Sequence, residues 1–177
     1  MTELRNCIRS IRDWPEEGIV FRDITTLLKD ADALQQAVQD LSAPFAERDI
    51  DQVVGAEARG FILGAAVACE IGAGFVPVRK PGKLPAETIQ ETYELEYGTD
   101  TLTMHKDAIE PGTKVLMLDD LLATGGTMAA CCRMVEELGG DIVACRFLIE
   151  LSFLNGREKL ADYEVTSIID YKSEDEG

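Results

Sequence analysis

Apolar positions along the chain repeat with two different rhythms, and the alternation between them predicts the architecture. Leu4, Ile8 and Ile11 recur at roughly helical spacing, which predicts a helix over residues 2–13, broken by Trp14-Pro-Glu-Glu-Gly18. Residues 19–24 form a short exposed-to-buried crossover too mixed to type. Leu34, Ala37, Val38 and Leu41 mark the inner face of a second helix over 31–47. Strand-like runs then alternate with helical ones. Residues 52–56 read as a strand, 61–71 as an apolar helix and 74–79 as the next strand. Residues 114–118 are the central strand, followed by a helix over 127–138 that Gly139-Gly140 closes; 141–151 and 165–169 supply the last strands. This order predicts one α/β domain, a mostly parallel sheet flanked by helices on both faces. Ligands in such sheets sit beyond the carboxyl ends of the strands. Residues 81–100 interrupt the pattern with Gly82, Pro85, Gly98 and the alternating pair Tyr93 and Tyr97, as expected of a flexible two-stranded flap. The acidic tail over 173–177 is expected to be disordered.

The central strand carries the most informative chemistry. Val115 to Thr127 reads as a buried strand ending in Asp119 and Asp120, then a loop of small residues entering a helix. Thr124, Gly125, Gly126 and Thr127 leave backbone N–H groups uncrowded at the positive end of a helix, which is a cradle for phosphate. The two carboxylates cannot ligate phosphate; they suit ribose hydroxyls or a divalent cation, so the target is a sugar phosphate. The loop lacks the Gly-Lys-Ser/Thr ending of a Walker A motif and the GxGxxG spacing of a dinucleotide fold. An ordinary strand-to-helix turn, with Gly and Thr merely capping, is the plain alternative.

Composition narrows the classes. A chain of 177 residues with 46% hydrophobic and 6% aromatic content fits one α/β domain. It contains no run of about 18 apolar residues, and its first residues lack a signal-peptide core, so a cytoplasmic protein without a membrane span is expected. Cys7, Cys69, Cys131, Cys132 and Cys145 read as buried free thiols, since they are odd in number and lack metal-ligand spacing. A formal net charge of −16 argues against nucleic acid and would repel a polyanionic substrate. Binding one therefore needs local cations: Arg79, Lys80 and Lys83 cluster in one loop, and Arg59 stands in another beside Gly60, which lets the backbone approach an anion.

Taken together, several segments resemble the type I phosphoribosyltransferases. Leu118-Asp-Asp-Leu-Leu-Ala-Thr-Gly-Gly-Thr127 is similar to that family's motif for phosphoribosyl pyrophosphate (PRPP). Val20-Phe-Arg-Asp-Ile-Thr25, Gly55-Ala-Glu-Ala-Arg-Gly-Phe61, Pro77-Val-Arg-Lys-Pro-Gly-Lys-Leu-Pro85 and Tyr93-Glu-Leu-Glu-Tyr-Gly98 resemble its adenine-using branch. Phe147-Leu-Ile-Glu-Leu151 and Gly156-Arg-Glu-Lys-Leu160 complete a set that runs in order over almost the whole chain.

The resemblance implies the reaction adenine + PRPP → AMP + pyrophosphate, with Mg²⁺, in a homodimer. It implies that Asp119 and Asp120 hold the ribose hydroxyls and act on magnesium through water. Ala123, Thr124, Gly125, Gly126 and Thr127 would hold the 5′-phosphate, and Arg59, Arg79, Lys80 and Lys83 the pyrophosphate, with Arg59 counted among the catalytic groups. Lysines of the basic loop can serve the neighbouring subunit in this family. The loop around Glu57 often carries a non-proline cis peptide there. Glu96 would transfer a proton at the purine imidazole edge, although Glu94, two residues earlier, shares its strand face and stays open. Val20 and Arg22 would read adenine through a peptide carbonyl and a peptide N–H, with Phe21 and Leu151 packing the ring. Residues 145–154 contain no lysine to aim at a 6-oxo group, which favours adenine. Thr103 stands where the family usually shows a glutamate, and little consequence is expected; His105 reads as structural. A 6-oxopurine phosphoribosyltransferase and a PRPP-binding regulator without catalysis are the competing readings. A regulator would need no Arg59, basic loop or Glu96.

Overall fold

The structure, a computed structural model, describes residues 3–94 and 98–176. Its core is a five-stranded sheet in the order β4 (Gly74–Val78), β3 (Gln52–Ala56), β7 (Lys114–Leu122), β8 (Asp141–Leu151), β9 (Val165–Tyr171), and every adjacent pair is parallel. Along β7, Val115 and Met117 face one side while Leu116 and Leu118 face the other, and both sides are packed. That is the pattern of a strand covered on two faces. Helix α4 (Gly126–Glu137) packs with Val115 and Met117, whereas α2 (Ala31–Ser42) and α3 (Arg59–Ile71) pack with Leu116 and Leu118.

The crossovers explain where a site can form. From β3 the chain passes through α3 to β4 on one side; from β7 it passes through α4 to β8 on the other. Between β3 and β7 the two chains turn apart, and such a switch point opens a crevice at the strands' carboxyl ends. Strand β7 deepens it. The register of β3 with β7 ends at Gly55 and Leu118, yet β7 runs on beside β8 as far as Leu122. The central strand is thus four residues longer than the apolar run predicts, and Asp119 and Asp120 lie within it, on its unpaired flank.

Four predicted elements are corrected. The helix over 2–13 is absent: Leu4–Cys7 is a short 3-10 turn, and β1 (Arg9–Arg12) pairs antiparallel with β2 (Val20–Asp23). Leu4 and Ile8 do pack into the core, but the Arg9–Asp23 ion pair and the hydrogen bond from Arg22 to Ser10 at 2.6 Å stabilise a hairpin that overrides helical spacing. Helix α2 stops at Ser42 instead of residue 47, because Pro44 next to it cannot donate to a continued ladder. The flap is a hairpin of β5 (Thr88–Glu94) and β6 (Thr99–His105), extending past residue 100 since Leu102 and Met104 are core residues. The acidic tail is also ordered over 173–176: Arg5 pairs with Glu176 at 2.8 Å, Arg12 with Asp175 at 3.0 Å, and Glu174 is bonded to β2. Among the cysteines, Cys131, Cys132 and Cys145 are buried, whereas Cys69 is exposed and Cys7 half-buried.

Candidate active site

The crevice between β3 and β7 holds a cavity of about 250 Å³ lined by residues 57–59 and 119–128. Asp119 and Asp120 form its floor, with Asp119 Oδ1 accepting the Asp120 N–H at 2.9 Å. Gly60 makes room for them, since a Cβ there would stand 2.6 Å from Asp119 Oδ1. The anion that Gly60 admits is therefore this carboxylate. Burial raises the pKa of Asp119 well above the ordinary carboxylate range, and the adjoining Asp120 charge raises it further. Burial also raises Asp120, against the Arg59 guanidinium, which lowers it. Two carboxylates so placed favour a site that brings hydroxyl donors or a cation to them.

The phosphate loop closes one end. Gly125 is left-handed, with φ +77°, and the first helical bond of α4 runs from the Ala129 N–H to the Gly125 carbonyl at 3.0 Å. The N–H groups ahead of Ala129 lie before that ladder and line the cavity through Gly126, Thr127 and Met128. Crowding at Gly125 comes from protein: a Cβ would meet the Gly156 carbonyl at 2.3 Å, and one on Gly156 would meet the Ala123 carbonyl at 2.2 Å. Two glycines from separate segments thus let the loop fit tightly against its neighbour. Arg157 anchors that neighbour through paired bonds to buried Glu150, both 2.6 Å. Thr127 Oγ1 donates to the Tyr93 hydroxyl at 3.1 Å, so one of the predicted phosphate hydroxyls also ties the flap to α4.

The cations assigned to pyrophosphate are not equivalent. Arg59 Nε stands 2.9 Å from Asp120 Oδ2, yet neither that oxygen nor Arg59 Nη1 has a hydrogen-bond partner of good geometry. Both keep capacity for a ligand. Arg79 and Lys80 lie outside the cavity wall and are tied to it by Glu57, whose carboxylate accepts from Arg79 Nε at 2.7 Å and from the Lys80 N–H at 3.0 Å. Those bonds hold the Glu57 pKa down although burial opposes them most strongly. Lys80 Nζ pairs with Asp100 of the flap at 3.1 Å, and Lys83 is exposed. The Glu57–Ala58 peptide is cis.

At the other end of the crevice, the Arg59 guanidinium lies 5.0 Å from the Phe21 ring centre, and Trp14 meets Phe21 edge-on at 4.3 Å. Leu151, at the end of β8, belongs to the buried cluster on that face. In an antiparallel pair, alternate residues turn both backbone groups toward the partner. The Ile19 carbonyl accepts from the Trp14 N–H, so Ile19 faces β1, and Val20 and Arg22 turn their N–H and C=O groups to the free edge of β2. This is the edge on which the base-reading groups were expected.

Glu96 lies outside the described residues, whereas Glu94 is exposed on β5. Several participants escaped sequence reasoning. Neither the tie from Glu57 to Arg79 and Lys80 nor the contact of Gly156 with the loop follows from their motifs. Thr103 is buried, bridges the Arg79 backbone in both directions and donates its hydroxyl to the Arg79 carbonyl at 2.9 Å, a larger part than the sequence predicts. A buried polar residue alternating with Leu102 and Met104 was the available signal for it.

The fold agrees with comparisons to known proteins. The phosphoribosyl transferase domain model matches residues 24–176. An adenine phosphoribosyltransferase of Alkaliphilus metalliredigens is 61% identical, over 93% of this chain and 96% of its own. Two crystal structures of adenine phosphoribosyltransferases superpose closely. That of Thermoanaerobacter pseudethanolicus has a TM-score of 0.93 at 51% identity, covering 96% of this chain and 98% of the other. That of Saccharomyces cerevisiae, complexed with an imino-altritol bisphosphate and adenine, has a TM-score of 0.88 at 40% identity, covering 93% and 96%. With that domain matched over residues 24–176 and a relative 61% identical over 93% of this chain, the chain belongs to the phosphoribosyltransferase family, among the adenine phosphoribosyltransferases.

Proposed function

We propose that the protein transfers the 5-phosphoribosyl group of PRPP to adenine, giving AMP and pyrophosphate in purine salvage. The observation that carries this reading is the position of Arg59, whose guanidinium reaches Asp120 on one side and the Phe21 ring on the other. The N–H groups ahead of Ala129 hold the 5′-phosphate, and Asp119 and Asp120 accept from the ribose hydroxyls. Arg59 turns its unpartnered Nη1 to the departing pyrophosphate, and Arg79, Lys80 and Lys83 add positive charge beyond Glu57. Phe21 and Leu151 hold adenine flat, while the Val20 carbonyl accepts from its 6-amino group and the Arg22 N–H donates to N1. Glu96 accepts the proton released at the imidazole edge as the new bond forms. Closure of the flap over the crevice keeps water from PRPP.

The carboxylate pair fits magnesium: Asp119 and Asp120 are hard oxygen donors and Asp120 Oδ2 lacks a hydrogen-bond partner. Bound through water and PRPP, the ion would neutralise charge on the leaving pyrophosphate. Among the described residues no helix is long and apolar enough to cross a membrane, and the buried free thiols suit a reducing cytoplasm. A homodimer is the assembly that the family resemblance implies for this chain. Light scattering should then give twice the chain mass of 19.4 kDa. The decisive assay incubates the protein with Mg²⁺, PRPP and each purine base separately. Adenine should be converted to nucleotide; conversion of hypoxanthine or guanine in its place would overturn the reading.

A further inference from the structure

The ordered tail ends on the edge assigned to the base. The Glu174 carboxylate accepts the Val20 N–H, and the Glu174 carbonyl accepts from Arg22 Nη2 at 2.8 Å. The Arg22 guanidinium is itself sandwiched in place, donating to Ser10 at 2.6 Å and lying 4.0 Å from the Tyr171 ring centre. Arg5 steadies the same ring from 4.5 Å and binds Glu176. Glu174 is thus held in position from both ends of the tail turn.

This contact changes what the strand edge offers. Read from Val20 toward Asp23, the free edge of β2 presents N–H, C=O, N–H, C=O. A 6-aminopurine needs an acceptor followed by a donor, which the Val20 carbonyl and the Arg22 N–H supply. A 6-oxopurine, with an acceptor at position 6 and a donor at N1, needs the reverse order. Slipping one group along the edge provides it on either side, as the Val20 N–H and carbonyl or as the Arg22 N–H and carbonyl, and Glu174 reaches only the first pair. Glu174 occupies the Val20 N–H. Its carboxylate also replaces a donor with an acceptor, which repels a 6-oxo group and tolerates a 6-amino group.

We propose that Glu174 is a specificity-determining residue: by capping the Val20 amide it removes the slipped register at Val20, one of the two in which a 6-oxopurine could bind. The inference rests on the adenine-binding assignment of Val20 and Arg22. A tail bearing one acceptor thereby does the selection that a lysine does in the opposite sense.

The test compares adenine with hypoxanthine in E174A and E174Q, each with PRPP and Mg²⁺. In E174A the kcat/KM ratio of hypoxanthine to adenine should rise about tenfold, the worth of one buried hydrogen-bonding group, with the KM for PRPP unchanged. E174Q keeps an oxygen acceptor and should stay within about threefold of the parent ratio, which separates capping from charge. An unchanged ratio in E174A overturns the proposal, as does an equal rise in both variants. Should E174A lose turnover, calorimetric affinities for IMP and AMP give the same comparison, and an unchanged IMP-to-AMP ratio overturns it too. Failure of the proposed function looks different: the unsubstituted protein would then not convert adenine.

Discussion

The ends of the crevice proposed for the phosphate and for the base are assembled in opposite ways. The phosphate end comes from one continuous stretch, in which β7, its two carboxylates, a glycine turn and the start of α4 follow within a few residues. The base end is gathered from distant pieces: the β1–β2 hairpin, the end of β8 and a tail turn whose Glu174 lies 154 residues from Val20. A local device depends on backbone conformation and fails when one residue cannot adopt it. A dispersed device depends on side-chain contacts, each of modest worth, and should lose function gradually.

Substitution at Gly125 tests the local device most severely. Gly125→Val combines a left-handed backbone with a Cβ against the Gly156 carbonyl, so kcat/KM for PRPP should fall at least about a hundredfold. An unchanged KM for PRPP would remove the loop from phosphate binding. Next is Arg157→Ala, which leaves buried Glu150 without its paired cation and should destabilise the fold by about 3 kcal/mol in urea titrations. The Glu150 pKa is lowered, chiefly by Arg157, so its stabilisation is present above the ordinary glutamate range and is lost as pH falls. The gap between parent and variant should therefore narrow in acid.

Asp119→Asn separates stability from function. The Asp119 pKa is raised in the folded state, chiefly by burial, so ionisation destabilises the fold as pH climbs from the ordinary aspartate range toward neutrality. The asparagine variant should melt a few degrees higher at pH 7, on the order of 1 kcal/mol, and show a flatter stability profile while losing ribose binding. A lower melting point at pH 7 would mean that Arg59 and the cleft already compensate the charge. Glu96→Gln should lower turnover at least about tenfold and Glu94→Gln much less, which decides between the two flap carboxylates. At the dispersed end, Arg12→Ala breaks an ion pair exposed on both sides, 65% and 85%, and should shift Tm by less than about a degree.

Legibility in the sequence follows the same division. The five sheet strands are visible as apolar runs because burial on two faces demands them, and the glycine turn after β7 because its residues are contiguous. The end of β7 was hidden, since Asp119 and Asp120 interrupt the apolar run although the strand continues. The helical spacing of Leu4 and Ile8 carries no sign that the chain leaves its turn after Cys7, and only the pairing of Arg9–Arg12 with β2 decides it. The cations were recognised by type, but their partners were not. Glu57 holds Arg79 and Lys80 from 22 and 23 residues away, a distance over which spacing carries no signal.

By itself, then, the order of residues determined the α/β class, the parallel sheet and the glycine turn after the central strand, because periodicity and local backbone chemistry act over a few positions. Tertiary structure alone decided that the acidic tail folds onto β2, that Gly156 shapes the loop at Gly125, and that Arg59 joins Phe21 to Asp120. Those contacts depend on which groups the sheet's switch point brings face to face, and no local pattern encodes that.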